Sequence, residues 1–285
     1  KIDMNSSEII QDLSKITAVD IILFAVGVFL FARWLYKTSL GKNALTESLP
    51  RRNNMPPYMP IIPLIIWLGG VALAVSAVNT FFPGLAKWQS VLLDNLIVSV
   101  GTIITIAVII FLVRATFARR TKGFGLDIRT IPKDFLAAAG NLLAVWPVLT
   151  ILFLTTVFLG RLIYGPDFQI QKHEELELIT SCPQVSVRVA IVVAAVLIIP
   201  VVEEMLFRGL FQTMIRSYIG KPWTSIAASS ILFTAAHANA AHWPVLLALA
   251  MCLGYSYEKS GSLFRPIFIH IFFNASSIIA TLYLT

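Results

Sequence analysis

The sequence predicts an all-α protein, a polytopic transmembrane helical bundle with about eight spans. Hydrophobic residues make up 57% of its 285 residues and charged residues only 13%, and the mean hydropathy is +0.81. These values exclude an ordinary soluble domain. The apolar residues also gather in separate segments near the length of about 20 that a membrane helix needs. The segments lie at 18–36, 61–82, 91–113, 139–164, 186–207, 224–240, 243–257 and 263–284.

The first three segments belong to an N-terminal region, residues 1–138, in which we find no chemistry. Its spans contain almost no ionisable residue, and its two long loops are rich in proline and arginine (LPRRNNMPPYMPIIP and RATFARRTKGFGLDIRTIPKDF). Most of the lysines and arginines of the chain fall on the side of these loops. The positive-inside rule therefore places the loops in the cytoplasm and both termini outside, in the plasma membrane of a prokaryote or otherwise in an internal membrane.

The net charge of +7 is explained by this topology. Basic loops next to a bilayer attract anionic lipid head groups, so membrane lipids are the expected partners and nucleic acid is not. Cys182 and Cys252 are the only cysteines, and they form neither a disulfide framework nor a CxxC metal motif.

The last five segments, residues 139–285, carry the candidate chemistry and are predicted to form a catalytic membrane domain. Glu203 and Glu204 lie in the apolar segment 186–207, where each charge costs roughly 2.5–3.5 kcal/mol. Glu204 and Arg208 are spaced i, i+4, within ion-pair reach, which indicates a structural pair. Glu203 points about 100° away and has no partner on its own helix, so it is the candidate general base.

Two later segments add histidines at membrane depth. Counted from the turn at Gly220, Glu203 and His237 lie at the same depth, roughly 22–24 Å along antiparallel helices. Phe233 precedes His237 by one turn. His270 and Asn274 share one face of the last helix, but His270 lies only about 12 Å beyond its own turn. Helix tilt is needed for it to reach the glutamates.

Several functions fit these residues. A peptidase would use Glu203 and His237 to activate water, since the sequence contains no GxSxG motif and no cysteine placed as a nucleophile. HExxH is also absent, yet Glu203, His237 and His270 could hold Zn²⁺ with an open fourth position. A proton-coupled transporter would use the same groups as a relay. A noncatalytic membrane scaffold derived from a protease fold is the third class.

The motifs EEMLFRGLF, FTAAH and LGYSYEKSGSLFRPIFIHIFFN resemble the CPBP family of intramembrane proteases. That family includes the type II CAAX prenyl endopeptidases and the Abi-type proteins linked to bacteriocin self-immunity. The resemblance covers about residues 186–280. It implies an endopeptidase that acts on a membrane-associated peptide or protein, such as a prenylated chain or a leader peptide.

The resemblance also implies a role for each motif residue. Glu203 and His237 would activate a water molecule, and His270 and Asn274 would stabilise the oxyanion. Supporting positions would be Glu204, Arg208 and Phe233. The resemblance favours a glutamate protease without a cofactor over the zinc alternative.

Overall fold

The computed structural model describes residues 18–171 and 174–284, which form ten helices and no β-strand. The predicted all-α class is confirmed. Two short 3₁₀ turns, Ile128–Thr130 and Ala240–His242, precede two of the helices. The helices are α1 Ala18–Lys37, α2 Ile61–Phe81, α3 Lys87–Thr116, α4 Arg120–Phe124, α5 Ile131–Tyr164, α6 Glu174–Ser181, α7 Val185–Ile219, α8 Pro222–Ala235, α9 Trp243–Ser260 and α10 Phe264–Leu284.

Six of these helices are long and apolar enough to cross a membrane, namely α1, α2, α3, α5, α7 and α10. The chain is therefore an integral, multi-pass membrane protein. The expectation of about eight spans was too high by two. Helix α8 has 14 residues, about 21 Å of helix, which is too short to cross. Helix α9 has 18 residues but ends in the polar sequence SYEKS.

Helices α8 and α9 form an antiparallel hairpin. Trp223 near the start of α8 stacks on Tyr255 near the end of α9, with 5.9 Å between ring centroids. The hairpin thus returns the chain to the end of the bundle from which it left.

Helices α7 and α9 run parallel, joined by polar contacts along their length. Each contact joins residues 42 positions apart, so the two helices keep one register over about two turns. A Cβ atom on Gly254 would lie 2.8 Å from Gln212 Oε1, so glycine permits this close approach. The contacts are Arg208 Nη2 to the Ala250 carbonyl (3.3 Å), Gln212 Nε2 to the Gly254 carbonyl (3.0 Å) and Arg216 Nε to Glu258 Oε1 (3.0 Å).

The largest buried apolar cluster draws residues from both regions of the chain. Ile109 and Val113 of α3 pack with Leu206 and Leu210 of α7. Phe124 of α4 is fully buried in the same cluster, where its ring lies against Gly209. A Cβ atom at position 209 would overlap that ring. The loop that follows α3 therefore packs directly behind the segment of α7 that carries the glutamates.

A second buried network attaches the loop between α1 and α2 to the end of α9. Glu258 is 6% exposed and accepts hydrogen bonds from Arg216 Nε at 3.0 Å and Ser48 Oγ at 3.2 Å. The guanidinium of Arg51 lies 3.5 Å from the centroid of the Tyr257 ring and donates to the Tyr257 carbonyl. These contacts hold the N-terminal region against the helices that carry the site.

Candidate active site

The helix that carries both glutamates, α7, changes its hydrogen-bond pattern on either side of them. A short α-helical stretch, Ile199–Glu204, lies between π-helical segments Ala194–Ile198 and Met205–Gln212. Segments of this kind are rare and are found frequently at functional sites. Pro200 begins the stretch between them, and because it has no backbone N–H it interrupts the regular helix there.

Glu204 forms the ion pair that the spacing predicts. Its Oε1 accepts from Arg208 Nη1 at 2.9 Å, and both side chains are fully buried. The same oxygen lies 2.9 Å from His270 Nδ1. Since an ionised carboxylate only accepts, Nδ1 is the donor. Glu204 thus joins the guanidinium of its own helix to the imidazole of α10.

Glu203 lies on the other side of the same imidazole. Its Oε2 is 3.5 Å from His270 Nε2, and its side chain keeps 13% of its surface exposed, whereas Glu204 has none. Nδ1 of His270 already carries a hydrogen. A hydrogen bond between His270 Nε2 and Glu203 Oε2 therefore needs one proton, either on Nε2 or on the Glu203 carboxyl group.

The structure corrects the predicted depth of His270, which lies between the two glutamates. The predicted depth was counted from the turn before α10, on the assumption that this turn lies at the surface of the protein. In fact Ser262 and Leu263 are buried, and the Leu263 N–H donates to the Gly125 carbonyl at 2.9 Å. Helix α10 therefore begins inside the protein, and His270 lies deeper than its distance from the turn indicates.

His237 lies just beyond the end of α8, half-buried. Its Nδ1 is 2.9 Å from the Phe233 carbonyl. A carbonyl oxygen only accepts, so Nδ1 carries the hydrogen and Nε2 of the neutral ring keeps a free lone pair. That atom is suited to accept a proton or to hold a water molecule.

Phe233 is the fully buried side chain around which these groups are arranged. Its ring centroid is 4.7 Å from that of His237 and 5.8 Å from that of His270. The Arg208 Cζ atom lies 4.5 Å from the same centroid, within the range of a cation–π contact. Phe233 thus separates the two imidazoles and covers the Glu204–Arg208 pair.

Asn274, one turn after His270, donates its side-chain Nδ2 to the Ala195 carbonyl at 2.9 Å. Two regular donors to that carbonyl from its own helix do not serve it. The Ile199 N–H bonds to Ala194 instead, and the next candidate donor would be the N–H that Pro200 lacks. Asn274 therefore satisfies a carbonyl that the proline leaves free.

The structure brings four predicted residues into direct contact, namely Glu203, Glu204, Arg208 and His270. His237 joins them through Phe233, and Asn274 is attached one turn away through Ala195. His242 lies outside the group, with its Nε2 3.0 Å from the Gln171 carbonyl. Sequence reasoning did not find the role of the Ala195 carbonyl, although Pro200 in an apolar helix signalled that a carbonyl would need an outside donor.

In His237 and His270, Nδ1 is hydrogen-bonded to a backbone carbonyl and to Glu204, respectively, an arrangement that metal-binding and metal-free histidines share. In the part of the chain that the structure describes, no three His, Cys, Asp or Glu side chains are placed to hold a metal ion.

Comparison with known proteins agrees with the motifs. Residues 185–276 match the model of a family described as type II CAAX prenyl endopeptidase Rce1-like. The match extends from the start of α7 into α10 and includes every site residue discussed above. It confirms the resemblance and implies a peptidase. No curated protein and no solved structure matches the chain significantly.

Proposed function

We propose that this chain, whose residues 185–276 belong to the type II CAAX prenyl endopeptidase Rce1-like family, is an intramembrane endopeptidase that hydrolyses a peptide bond of a membrane-associated substrate. The observation that carries the proposal is the contact of His270 with both glutamates, 2.9 Å to Glu204 and 3.5 Å to Glu203. An imidazole held by one buried carboxylate and facing a second, partly exposed one is suited to proton transfer.

In this proposal Glu203 is the general base. It is the glutamate without an arginine partner and the one that keeps exposed surface. A water molecule between Glu203 and Nε2 of His237 would lose its proton to Glu203 while it attacks the scissile carbonyl carbon. Glu203 then passes that proton to the leaving amine, directly or through Nε2 of His237. Such a group contributes about 10²–10⁴-fold to the rate.

His270 and Asn274 are proposed to stabilise the oxyanion. When the shared proton lies on Nε2 of His270, that N–H faces the space beside Glu203. Asn274 uses one amide hydrogen for Ala195, and its second amide hydrogen remains to donate. One such donor is worth about 2.7–4 kcal/mol of transition-state stabilisation. The Glu204–Arg208 pair fixes His270 in position.

The proposed chemistry needs no metal ion or other cofactor. This part of the proposal is supported by what the family resemblance implies, and by the described residues, among which no three His, Cys, Asp or Glu side chains could hold a metal ion. The substrate is proposed to be a prenylated or leader-type peptide, because a site among membrane helices favours chains that are themselves anchored in lipid.

We propose further that the residues 139–285 suffice for the chemistry, that the basic loops face the cytoplasm and that both termini lie outside.

The test uses the full chain, purified in detergent, and a quenched fluorogenic peptide that ends in a farnesylated CAAX sequence. We expect cleavage by the wild type and a loss of at least about 10²-fold in Glu203→Gln. His242→Ala is the control, because His242 lies outside the site, and it should retain activity. Wild-type turnover in a folded Glu203→Gln variant would refute the proposed base. Cleavage of a leader peptide but not of the farnesylated peptide would refute the CAAX substrate alone.

A further inference from the structure

A cleft of about 560 Å³ opens between α3, α6 and α7. The residues that line it on α3 and α6 lie outside the segment 185–276 that matches the family model. The family match therefore does not describe this wall. The lining residues are Val75, Lys87, Val91, Asp94, Asn95, Val98, Glu177, Leu178, Ser181, Ile191, Ala194, Ala195 and Ile199.

The cleft ends one helical turn before the candidate base. Its wall on α7 is formed by Ile191, Ala194, Ala195 and Ile199, and Glu203 follows Ile199 by four residues, on the same face of the helix. Ala195 is also the residue whose carbonyl binds Asn274. One wall of the cleft is thus the irregular segment of α7 that leads into Glu203 and accepts the hydrogen bond from Asn274.

The lining changes from charged to apolar along the cleft. Lys87, Asp94 and Glu177 lie toward one end, and none of them forms an ion pair among the residues that the structure describes. Asp94 lies within the candidate span α3 and is half-buried, and among the described residues its one hydrogen-bond partner is Asn79, 3.4 Å away. A charged side chain inside a span faces the interior of a bundle or a water-filled cavity rather than lipid.

A second groove provides the contrast. It has a volume of about 420 Å³ between α2 and α3, and its lining consists of apolar residues and glycines, among them Val71, Leu96 and Ile104. Lipid chains can fill such a groove without cost. Lipid chains cannot hydrate the carboxylates that line the first cleft. That cleft therefore needs water, whereas the groove between α2 and α3 does not.

We infer that the cleft between α3, α6 and α7 is a water-filled entry through which water and a hydrophilic peptide segment of the substrate reach Glu203. The role of the peptide rests on the proposed function, whereas the presence of water does not. Charged groups at the mouth would hold the polar part of the peptide, and the apolar end of the cleft would hold the residues next to the scissile bond.

Cysteine accessibility tests the water content without any measurement of activity. In a Cys182→Ala, Cys252→Ala background, Val98→Cys places a thiol in the cleft and Ile104→Cys places one on the same helix in the apolar groove. A water-soluble methanethiosulfonate reacts with the thiolate, which needs water to form. We expect Val98→Cys to react at least tenfold faster than Ile104→Cys in detergent. Equal rates would overturn the water-filled entry.

The second arm tests the substrate route with the fluorogenic farnesylated peptide. A group attached at Val98→Cys should raise KM at least fivefold over the same variant before labelling, while the thermal midpoint stays unchanged. Labelled Ile104→Cys is the control and should keep its KM. Fast labelling with an unchanged KM would overturn the peptide route. Because the first arm needs no turnover, its result stands even if the protein cleaves no peptide.

Discussion

Asn274 on α10 donates to the backbone carbonyl of Ala195 on α7, with 2.9 Å between Nδ2 and the oxygen. The carbonyl needs this donor because Pro200, five residues later, has no N–H to offer. One turn before Asn274, His270 contacts both glutamates of α7. A proline on one helix and an amide on another thus help to set the position of the candidate site.

This relationship predicts that Pro200 and Asn274 are energetically coupled. Asn274→Ala alone removes the side-chain donor to the carbonyl of the half-buried Ala195, at about 0.5–1.5 kcal/mol. In the Pro200→Ala background the new N–H can bond to that carbonyl, so the same change should cost less. Denaturation of the four proteins of the cycle in detergent measures the coupling.

Ser277→Ala is the matched control for this cycle. Ser277 lies on the same helix, and its hydroxyl donates to the Phe273 carbonyl within α10 rather than to a carbonyl of α7. Its effect should add to that of Pro200→Ala. An additive result for Asn274 as well would show that the proline does not create the need for the amide.

Substitution of Glu203 should affect turnover, whereas substitution of Glu204 should affect stability. Glu203→Gln keeps the shape of the side chain and should abolish turnover while the thermal midpoint changes little. Glu204→Ala leaves Arg208 and His270 buried without their shared acceptor and should cost about 3–5 kcal/mol of stability. Thermal unfolding and peptide cleavage, measured on the same preparations, separate the two effects. Equal destabilisation in both variants contradicts this division of roles.

Gly209 should be essential for packing behind the glutamates. A Cβ atom there would overlap the Phe124 ring, and the buried ring has no free space to move into, so Gly209→Ala should destabilise the protein by about 1–3 kcal/mol. Gly140→Ala is the control, because nothing lies within 4 Å of a Cβ atom at that helical position. Unfolding in detergent should show no loss for Gly140→Ala. Similar midpoints for both variants would disprove the packing argument.

The sequence predicted the parts of the site that depend on spacing within one helix. The i, i+4 pair of Glu204 and Arg208 is present because both residues lie on one regular face. Relations between helices were harder to predict. The depth of His270 depends on the burial of Leu263 against Gly125, a long-range contact that no local pattern encodes.

The number of spans was overestimated for a similar reason. Hydropathy alone extends the α8 segment through His237 to residue 240, but the helix ends at Ala235. In the structure the Trp243 Nε1–H donates to the His237 carbonyl at 2.9 Å, so the chain after Ala235 turns toward α9. A contact of this kind appears only once both helices are packed, and it keeps His237 beside the site.

The proposed mechanism predicts activity that survives removal of metal ions. Zn–N and Zn–O bonds of about 2.0–2.2 Å would require Glu203, His237 and His270 to converge on one point. No three such side chains are placed to hold a metal ion among the described residues. We therefore expect purified protein to contain no stoichiometric zinc, and we expect cleavage of the farnesylated peptide to be unchanged after treatment with a strong chelator. Zinc at one equivalent, together with cleavage that the chelator abolishes and added zinc restores, would replace the glutamate mechanism with a metal-dependent one and leave the peptidase assignment in place.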